Sequence, residues 1–572
     1  MNFSKFSRLL VSLALIYFSV AHASGWEFGV KSFFLDQPKL LPVYAVIFLL
    51  LPFLTLFQSS LFLSFIIVLL GEVSSTKLAM NGEPLGFYDF LAIRQVSQLP
   101  SYAPSTILWL SVGLLLVCFF IIYSAWRNGF RKRNSLKFAF LGGLVSVFSL
   151  YPHFIEHKDS PLISQRFFSQ FLGLEYVGWH MVTDVRKNGL PFHLIYTSKK
   201  RLIQNIPPRE TASLALKLKS SKAAGGSKLP LPRKIILVLC EACWDVGAQQ
   251  GKSSFSSLLE NGFTLTEMVS PVFGGGTANA EFEVLTGLPS SKLTGYVYQE
   301  YQDELSPQSV TFPSELKRLG YRSYAMHNFH RGFYHRDKIY PKMGFEKFVS
   351  LEQMNYEGDE FFPRDSLLYE AAQGLLNTPE ERVFLSAVTV YTHGPYVESE
   401  GDGGLNEYEK RLEKSVSDLN DFVTMLDQQG ADYLVAVYGD HKPSMAKYFF
   451  DRHILPGRVF TKTGDTNMDF QIDSENDRNQ DLIGKVPVLI KSSARTRSVE
   501  NLVRKLKEKP LYCLTPSIVS WLKVESDPSF YMMSGICESA RGGYASYPNR
   551  YPDALYERNL FRGFSDFAKA DF

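Results

Sequence analysis

Charge of one sign is what this chain most plainly lacks. Its 60 Lys and Arg nearly balance 57 Asp and Glu, for a net charge of +3 over 572 residues. That gives no bulk attraction for nucleic acid, and no nucleic-acid partner is expected. Cysteine is scarce as well, with five in all. Cys240 and Cys243 form a C-E-A-C pair, a spacing that raises zinc or redox chemistry. No second such pair follows, and this one ends an apolar run, so buried strand-end thiols are the expectation. Cys513 and Cys537 are candidates for a bridge if their compartment is oxidising.

Aromatic residues are plentiful, at 14%, and the apolar residues are unevenly spread. The first 154 positions hold most of the long apolar runs. Residues 9–20 follow Lys5 and Arg8 and precede Ala21-His22-Ala23. They read either as a cleaved signal peptide or as a short first transmembrane helix. Leu40–Phe57 and Leu61–Leu70 read as two helices turning at Gln58-Ser59-Ser60, and Ile107–Trp126 and Phe138–Phe154 as two more. A membrane span needs roughly 20 apolar residues. About five helices are therefore expected in residues 1–154. The loop between the last two carries Arg127, Arg131, Lys132, Arg133 and Lys137. By the positive-inside rule it is cytoplasmic, which puts everything after Phe154 outside the cytoplasm. Residues 155–230 read as a juxtamembrane segment and linker, closing in the Pro-, Gly- and Ser-rich stretch after Pro207.

Beyond residue 230 the pattern changes. Lys234–Cys240, Arg322–Met326, Val383–Val390, Tyr433–Tyr438 and Val486–Ile490 are short apolar runs that read as buried strands. They alternate with helical periodicities such as Glu409–Gln428, which predicts an α/β domain over 231–572, its mostly parallel sheet flanked by helices. Polar residues cluster at the strand ends: Glu241, His327, His393, Asp440 and His441. Such ends gather ligands at one sheet edge, and this donor set suits Mn²⁺, Mg²⁺ or Zn²⁺. Between the first two of these strands lies Pro271–Pro289, PVFGGGTANAEFEVLTGLP. Three glycines lead into Thr277 at the start of a predicted helix, where the backbone favours an anion. Thr277 is thus a candidate nucleophile in phosphoryl chemistry, with a simple helix cap as the other reading. Arg336, in a polar aromatic stretch after His327, is suited to a bidentate phosphate contact.

The Glu241 strand end, GGGTANAEFEVLTG, AMHNFHRGFYHRDKIYPKMGF, YTHGPY and YGDH together resemble the lipoteichoic acid synthase and phosphoglycerol transferase branch of the alkaline phosphatase/sulfatase superfamily. The resemblance covers nearly the whole chain, including the GEPL sequence at 82–85. It implies a multi-pass protein of the bacterial cytoplasmic membrane with a periplasmic or otherwise extracytoplasmic catalytic domain. It implies one divalent metal, commonly manganese, bound by Glu241, Thr277, Asp440 and His441. Thr277 is then the nucleophile, His393 handles protons or holds substrate, and His327, Tyr334 and Arg336 contact the head group. The implied reaction moves phosphoglycerol from phosphatidylglycerol to an extracytoplasmic glycan or polymer through a phosphothreonine. Tyr334 stands where this family often has Trp, which leaves head-group preference open. Phosphoethanolamine transfer is the alternative within the superfamily, though those relatives tend to be richer in disulfides. A phosphodiesterase or sulfatase comes next, and a non-catalytic sensor or scaffold last.

Overall fold

A computed structural model describes residues 3–26, 29–51, 54–81, 84–90 and 181–198, with isolated positions between, and 208–220, 230–246, 253–293, 297–358, 360–377, 381–397, 401–460, 477–493, 498–539 and 551–561. The chain divides into two compact units, 1–200 and 201–572.

In the first unit, helices span Phe3–Ser24, Leu41–Leu50 and Leu56–Asn81, followed by Met181–Asn188 and Leu190–Thr197. Among the described residues, two stretches are long and apolar enough to cross a membrane, Ser7–Ser24 and Leu56–Leu78. Most of Ile107–Trp126, all of Phe138–Phe154 and the basic loop 127–137 lie outside the described residues. The turn expected at Gln58-Ser59-Ser60 is not there, because all three residues sit inside the helix Leu56–Asn81. The reason is a capping box. Gln58 Oε1 accepts from the Thr55 backbone N–H at 3.0 Å, and Thr55 Oγ1 accepts from the Gln58 N–H at 3.3 Å. That Thr-x-x-Gln pattern starts a helix.

The second unit is built on one seven-stranded sheet. Its strands are β1 (Lys234–Cys240), β2 (Thr264–Val269), β3 (Arg322–His327), β4 (Lys347–Ser350), β5 (Val383–Val388), β6 (Tyr433–Gly439) and β7 (Lys485–Ser492), in the order β2-β7-β6-β1-β5-β3-β4. Strands β6, β1, β5, β3 and β4 are mutually parallel. β7 runs against β6, and β2 runs against β7. The mostly parallel sheet read from the sequence is therefore present. Two of its strands, β2 and β4, had no clear signal. β2 is half exposed and β4 is four residues long, and neither makes an apolar run.

Every residue of β1, β5 and β6 is buried. Alternate side chains face opposite sides of a strand. Ile235, Leu237 and Leu239 thus join one apolar cluster while Ile236, Val238 and Cys240 join another. Helices cover both faces. Leu405–Gln428 packs Tyr408, Leu412, Val416, Leu419 and Val423 against the second cluster, at the spacing of one helical face. Each such side chain contributes about 1.5–3 kcal/mol on burial. The stretch read as linker also differs. Pro208–Ser220 is a helix whose Leu214 is buried in the first cluster, and Glu210 accepts from the Ala554 N–H at 3.2 Å.

The parallel register matters for the site. Cys240 pairs with Gly439 across β1 and β6, and His327 pairs with Val388 across β3 and β5. The carboxyl ends of four adjacent strands, β6, β1, β5 and β3, are thereby level. Gly439 also lets the chain after β1 pass close by, since a Cβ there would lie 2.4 Å from the Cys243 carbonyl oxygen. Gly439→Ala should therefore cost about 1–3 kcal/mol of stability, as overpacking of a tight site does. A denaturation midpoint equal to wild type for the full chain in detergent would refute this.

Candidate active site

Glu241 follows β1 and Asp440-His441 follows β6, and all three are buried. Each has a ligand atom within 4.8 Å of the others. Backbone N–H groups fix one side of Asp440, with Oδ1 accepting from Ala242 at 2.8 Å and from His441 at 2.9 Å. His441 Nδ1 faces the Lys442 carbonyl oxygen at 2.8 Å, so Nδ1 carries the proton and donates. Nε2 then presents a lone pair, 3.2 Å from Asp440 Oδ2 and 3.6 Å from Glu241 Oε1. Neither Asp440 Oδ2 nor His441 Nε2 has a hydrogen-bond partner. Buried lone pairs facing one another are unfavourable unless a proton or a cation sits between them. Two carboxylate oxygens and one imidazole nitrogen are the donor set of a divalent metal, and these residues fit one. Burial and the neighbouring Asp440 carboxylate hold the Glu241 carboxyl well above its ordinary range, against a smaller pull from Thr277 and Arg336.

Thr277 reaches the same place from a different element. Gly274 and Gly276 adopt φ of 66° and 86°, which glycine takes without steric cost. Gly276 is the cap, and Thr277 is the first residue of the helix Thr277–Thr286. The threonine is not the helix cap. Its Oγ1 donates to Glu241 Oε2 at 3.2 Å. The Gly274 N–H donates to the Lys442 carbonyl oxygen at 3.2 Å, and this is the oxygen that also receives His441 Nδ1. One carbonyl thus ties the glycine loop to the acidic cluster. Lys442 itself is buried, with Nζ donating to the Leu482, Ile483 and Lys485 carbonyl oxygens at 3.0, 2.9 and 2.5 Å. Burial lowers its pKa to about 7.

The other expected residues lie on the same edge. His327 ends β3 and donates from Nδ1 to the Val388 carbonyl oxygen at 2.9 Å, while its buried Nε2 has no partner. Burial, then the Arg336 charge, push its pKa well below the ordinary value. His393 follows β5, donates from Nδ1 to the Gly394 carbonyl oxygen at 2.6 Å, and packs on Phe362 with ring centroids 4.7 Å apart. Burial brings its pKa to about 4, so it is neutral at physiological pH. Tyr334 holds φ at 54° and lays its ring 5.3 Å from the Arg336 guanidinium. Arg336 is not on a surface loop. It opens the helix Arg336–Lys342, is 1% exposed and is ion-paired to Glu281.

Cys240 and Cys243 are joined as a disulfide rather than remaining thiols. Ala242, with φ of 47°, turns the chain back so that the two sulfurs meet around Glu241. The Cys513–Cys537 bridge also forms. Sequence reasoning missed Glu281 and Lys442. Glu281 had one signal, an acid inside an otherwise apolar helical pattern.

The Sulfatase family profile matches residues 233–524, just over half of the chain. The chain belongs to the sulfatase family. The matched segment opens one residue before β1 and ends beyond β7, so the sheet and the acidic cluster belong to the sulfatase-like domain. A putative cyclic β-1,2-glucan modification protein of Rhizobium meliloti is 24% identical over 444 residues, 71% of this chain and 66% of that one. A capsular polysaccharide biosynthesis protein of the same organism is 30% identical over 191 residues, 32% of this chain and 35% of that one. The chain thus spans about two thirds of the first relative's length and about a third of the second's. Among solved structures, the phosphoglycerol transferase GacH of Streptococcus pyogenes superposes with a TM-score of 0.47 at 19% identity, over 64% of this chain and 98% of that one. The lipooligosaccharide phosphoethanolamine transferase of Neisseria meningitidis gives 0.46 at 13% identity, over 91% and 98%.

The bare lone pairs lead to a measurable consequence. In Asp440→Asn the amide N–H₂ can stand where Oδ2 stood and donate to His441 Nε2. The variant should bind no divalent metal and yet unfold, without metal, no earlier than wild type. In wild type a metal at 100 times its Kd should add about 2.7 kcal/mol, and in Asp440→Asn nothing. An equal metal-induced shift in both proteins would exclude a metal on these atoms.

Proposed function

We propose that the chain is a membrane-anchored transferase that moves phosphoglycerol from phosphatidylglycerol to an extracytoplasmic glycan or polymer, with Thr277 carrying the head group in between. The observation that carries this reading is the threonine hydroxyl at a helix start, hydrogen-bonded at 3.2 Å to a carboxylate of the acidic cluster. The motif resemblance supports phosphoglycerol as the group moved. The relatives named for glucan modification and capsular polysaccharide support a glycan as acceptor.

Glu241, Asp440, His441 and Thr277 Oγ1 would hold one divalent ion, Mn²⁺ favoured over Mg²⁺ or Zn²⁺, whose charge lowers the pKa of the hydroxyl and screens phosphoryl oxygens. Thr277 Oγ1 attacks phosphorus, and the bond to the diacylglycerol oxygen breaks. The threonine proton leaves as the hydroxyl adds, and the departing diacylglycerol oxygen gains one. An acceptor hydroxyl then attacks the phosphothreonine and restores Thr277. His393 serves as acid in one step and as base in the other. His327, Tyr334 and Arg336 hold the head group, with the guanidinium facing phosphate.

Phosphoethanolamine transfer is the second reading. It is favoured by one observation, the presence of two disulfides among the described residues. The mass gained by the Thr277 peptide on incubation with each lipid separates the two readings. Thr277→Ala should keep the fold and release almost no diacylglycerol from phosphatidylglycerol. His393→Ala should slow turnover by about 10²–10⁴-fold. Substantial release by Thr277→Ala would mean that water or another group attacks, and the covalent route would be abandoned.

A further inference from the structure

The Thr277 helix buries an acid that the reaction above does not use. Glu281 lies one turn beyond Thr277, on the same helix face. Its Oε2 accepts from Arg336 Nε at 3.0 Å and Nη2 at 2.9 Å, and its Oε1 accepts from the Tyr340 hydroxyl at 2.5 Å. Arg336 and Tyr340 are also one turn apart, on the helix Arg336–Lys342. One acid on the first helix is therefore gripped by two residues one turn apart on the second. Glu281, Arg336 and Tyr340 are each no more than 1% exposed, so this contact is dry.

The contact uses only one edge of the guanidinium. Arg336 Nη1 is buried and has no hydrogen-bond partner. A buried donor without an acceptor is costly and calls for a ligand. His327 Nε2 is in the same condition. The Tyr334 ring packs against the guanidinium. The Nη1 corner is thus the buried part of the guanidinium that Glu281 leaves without a partner.

We infer that Glu281 is a positioning residue that fixes the Nη1 corner of Arg336 relative to Thr277 Oγ1, so that a phosphate oxygen held on that corner and the attacking hydroxyl ride on one rigid frame. This deepens the proposed function and rests on that reading of the site. A carboxylate shared by the guanidinium and by the helix of the nucleophile converts the phosphate grip into an angular constraint on attack. Such constraints are steep, since a displacement of about 1 Å can cost about 10²-fold in rate.

The test uses the full chain in detergent, loaded with Mn²⁺, and two probes, inorganic phosphate and glycerol phosphate. Glu281→Asp withdraws the carboxylate by one methylene, about 1.5 Å. It should weaken both probes by about tenfold or more, with Mn²⁺ affinity unchanged. Glu281→Gln keeps the reach and one acceptor oxygen, and should return binding to within about threefold of wild type. Phosphothreonine formation in a single turnover should fall in the same order. Wild-type probe binding in Glu281→Asp would overturn the inference alone. So would a parallel loss of Mn²⁺ and phosphate in both variants, because a purely structural role predicts that. A wild-type protein that binds neither probe would overturn the proposed function, and this inference with it.

Discussion

Two carboxylate oxygens and one imidazole nitrogen, buried and turned toward one point, dominate this molecule. Asp440 Oδ2, His441 Nε2 and Glu241 Oε1 converge because β1 and β6 are parallel neighbours whose last residues pair. Antiparallel neighbours would have sent Glu241 and Asp440 to opposite edges of the sheet. The hydrogen bonds around the cluster oppose any relaxation. Asp440 Oδ1 is held by two backbone donors, and His441 Nδ1 is held by a carbonyl. A group held in that way cannot rotate to relieve the repulsion, so the cluster is prearranged for a cation.

The surrounding polar groups act on backbone more than on side chains. Thr389 Oγ1 accepts from the Glu241 N–H at 3.0 Å, and Thr392 Oγ1 donates to the Glu241 carbonyl oxygen. Ser270 Oγ donates to the Asp440 carbonyl oxygen. The disulfide closes the turn that bears Glu241. Lys442 spends its ammonium on three carbonyls, and its own carbonyl joins the glycine loop to His441. Sites mounted on such second contacts hold their geometry without help from substrate.

The buried Glu281–Arg336 pair is a different kind of feature. Taking both charges out of water costs several kcal/mol per ion, and their attraction recovers this only with good geometry. An apolar pair of similar volume would serve the core as well. An ion pair that leaves one guanidinium corner bare is therefore better explained by what it presents than by what it stabilises.

The sequence alone determined the class of fold and named the candidates for the site. Apolar runs such as KIILVLC announce buried parallel strands because both faces of those strands are covered. Glycines before Thr277 announce a backbone that only glycine adopts without strain. The edge strands stayed hidden because β2 is half exposed and β4 is only four residues long, and Thr55-x-x-Gln58 was a helix start that the apolar count around it masked. Tertiary structure alone decided which lone pairs are bare, which corner of Arg336 is spent on Glu281, and that Cys240 and Cys243 close on each other. Those outcomes depend on distances between atoms far apart in the chain, Glu281 and Arg336 being 55 residues apart. Local pattern can name such residues, but only packing brings them together.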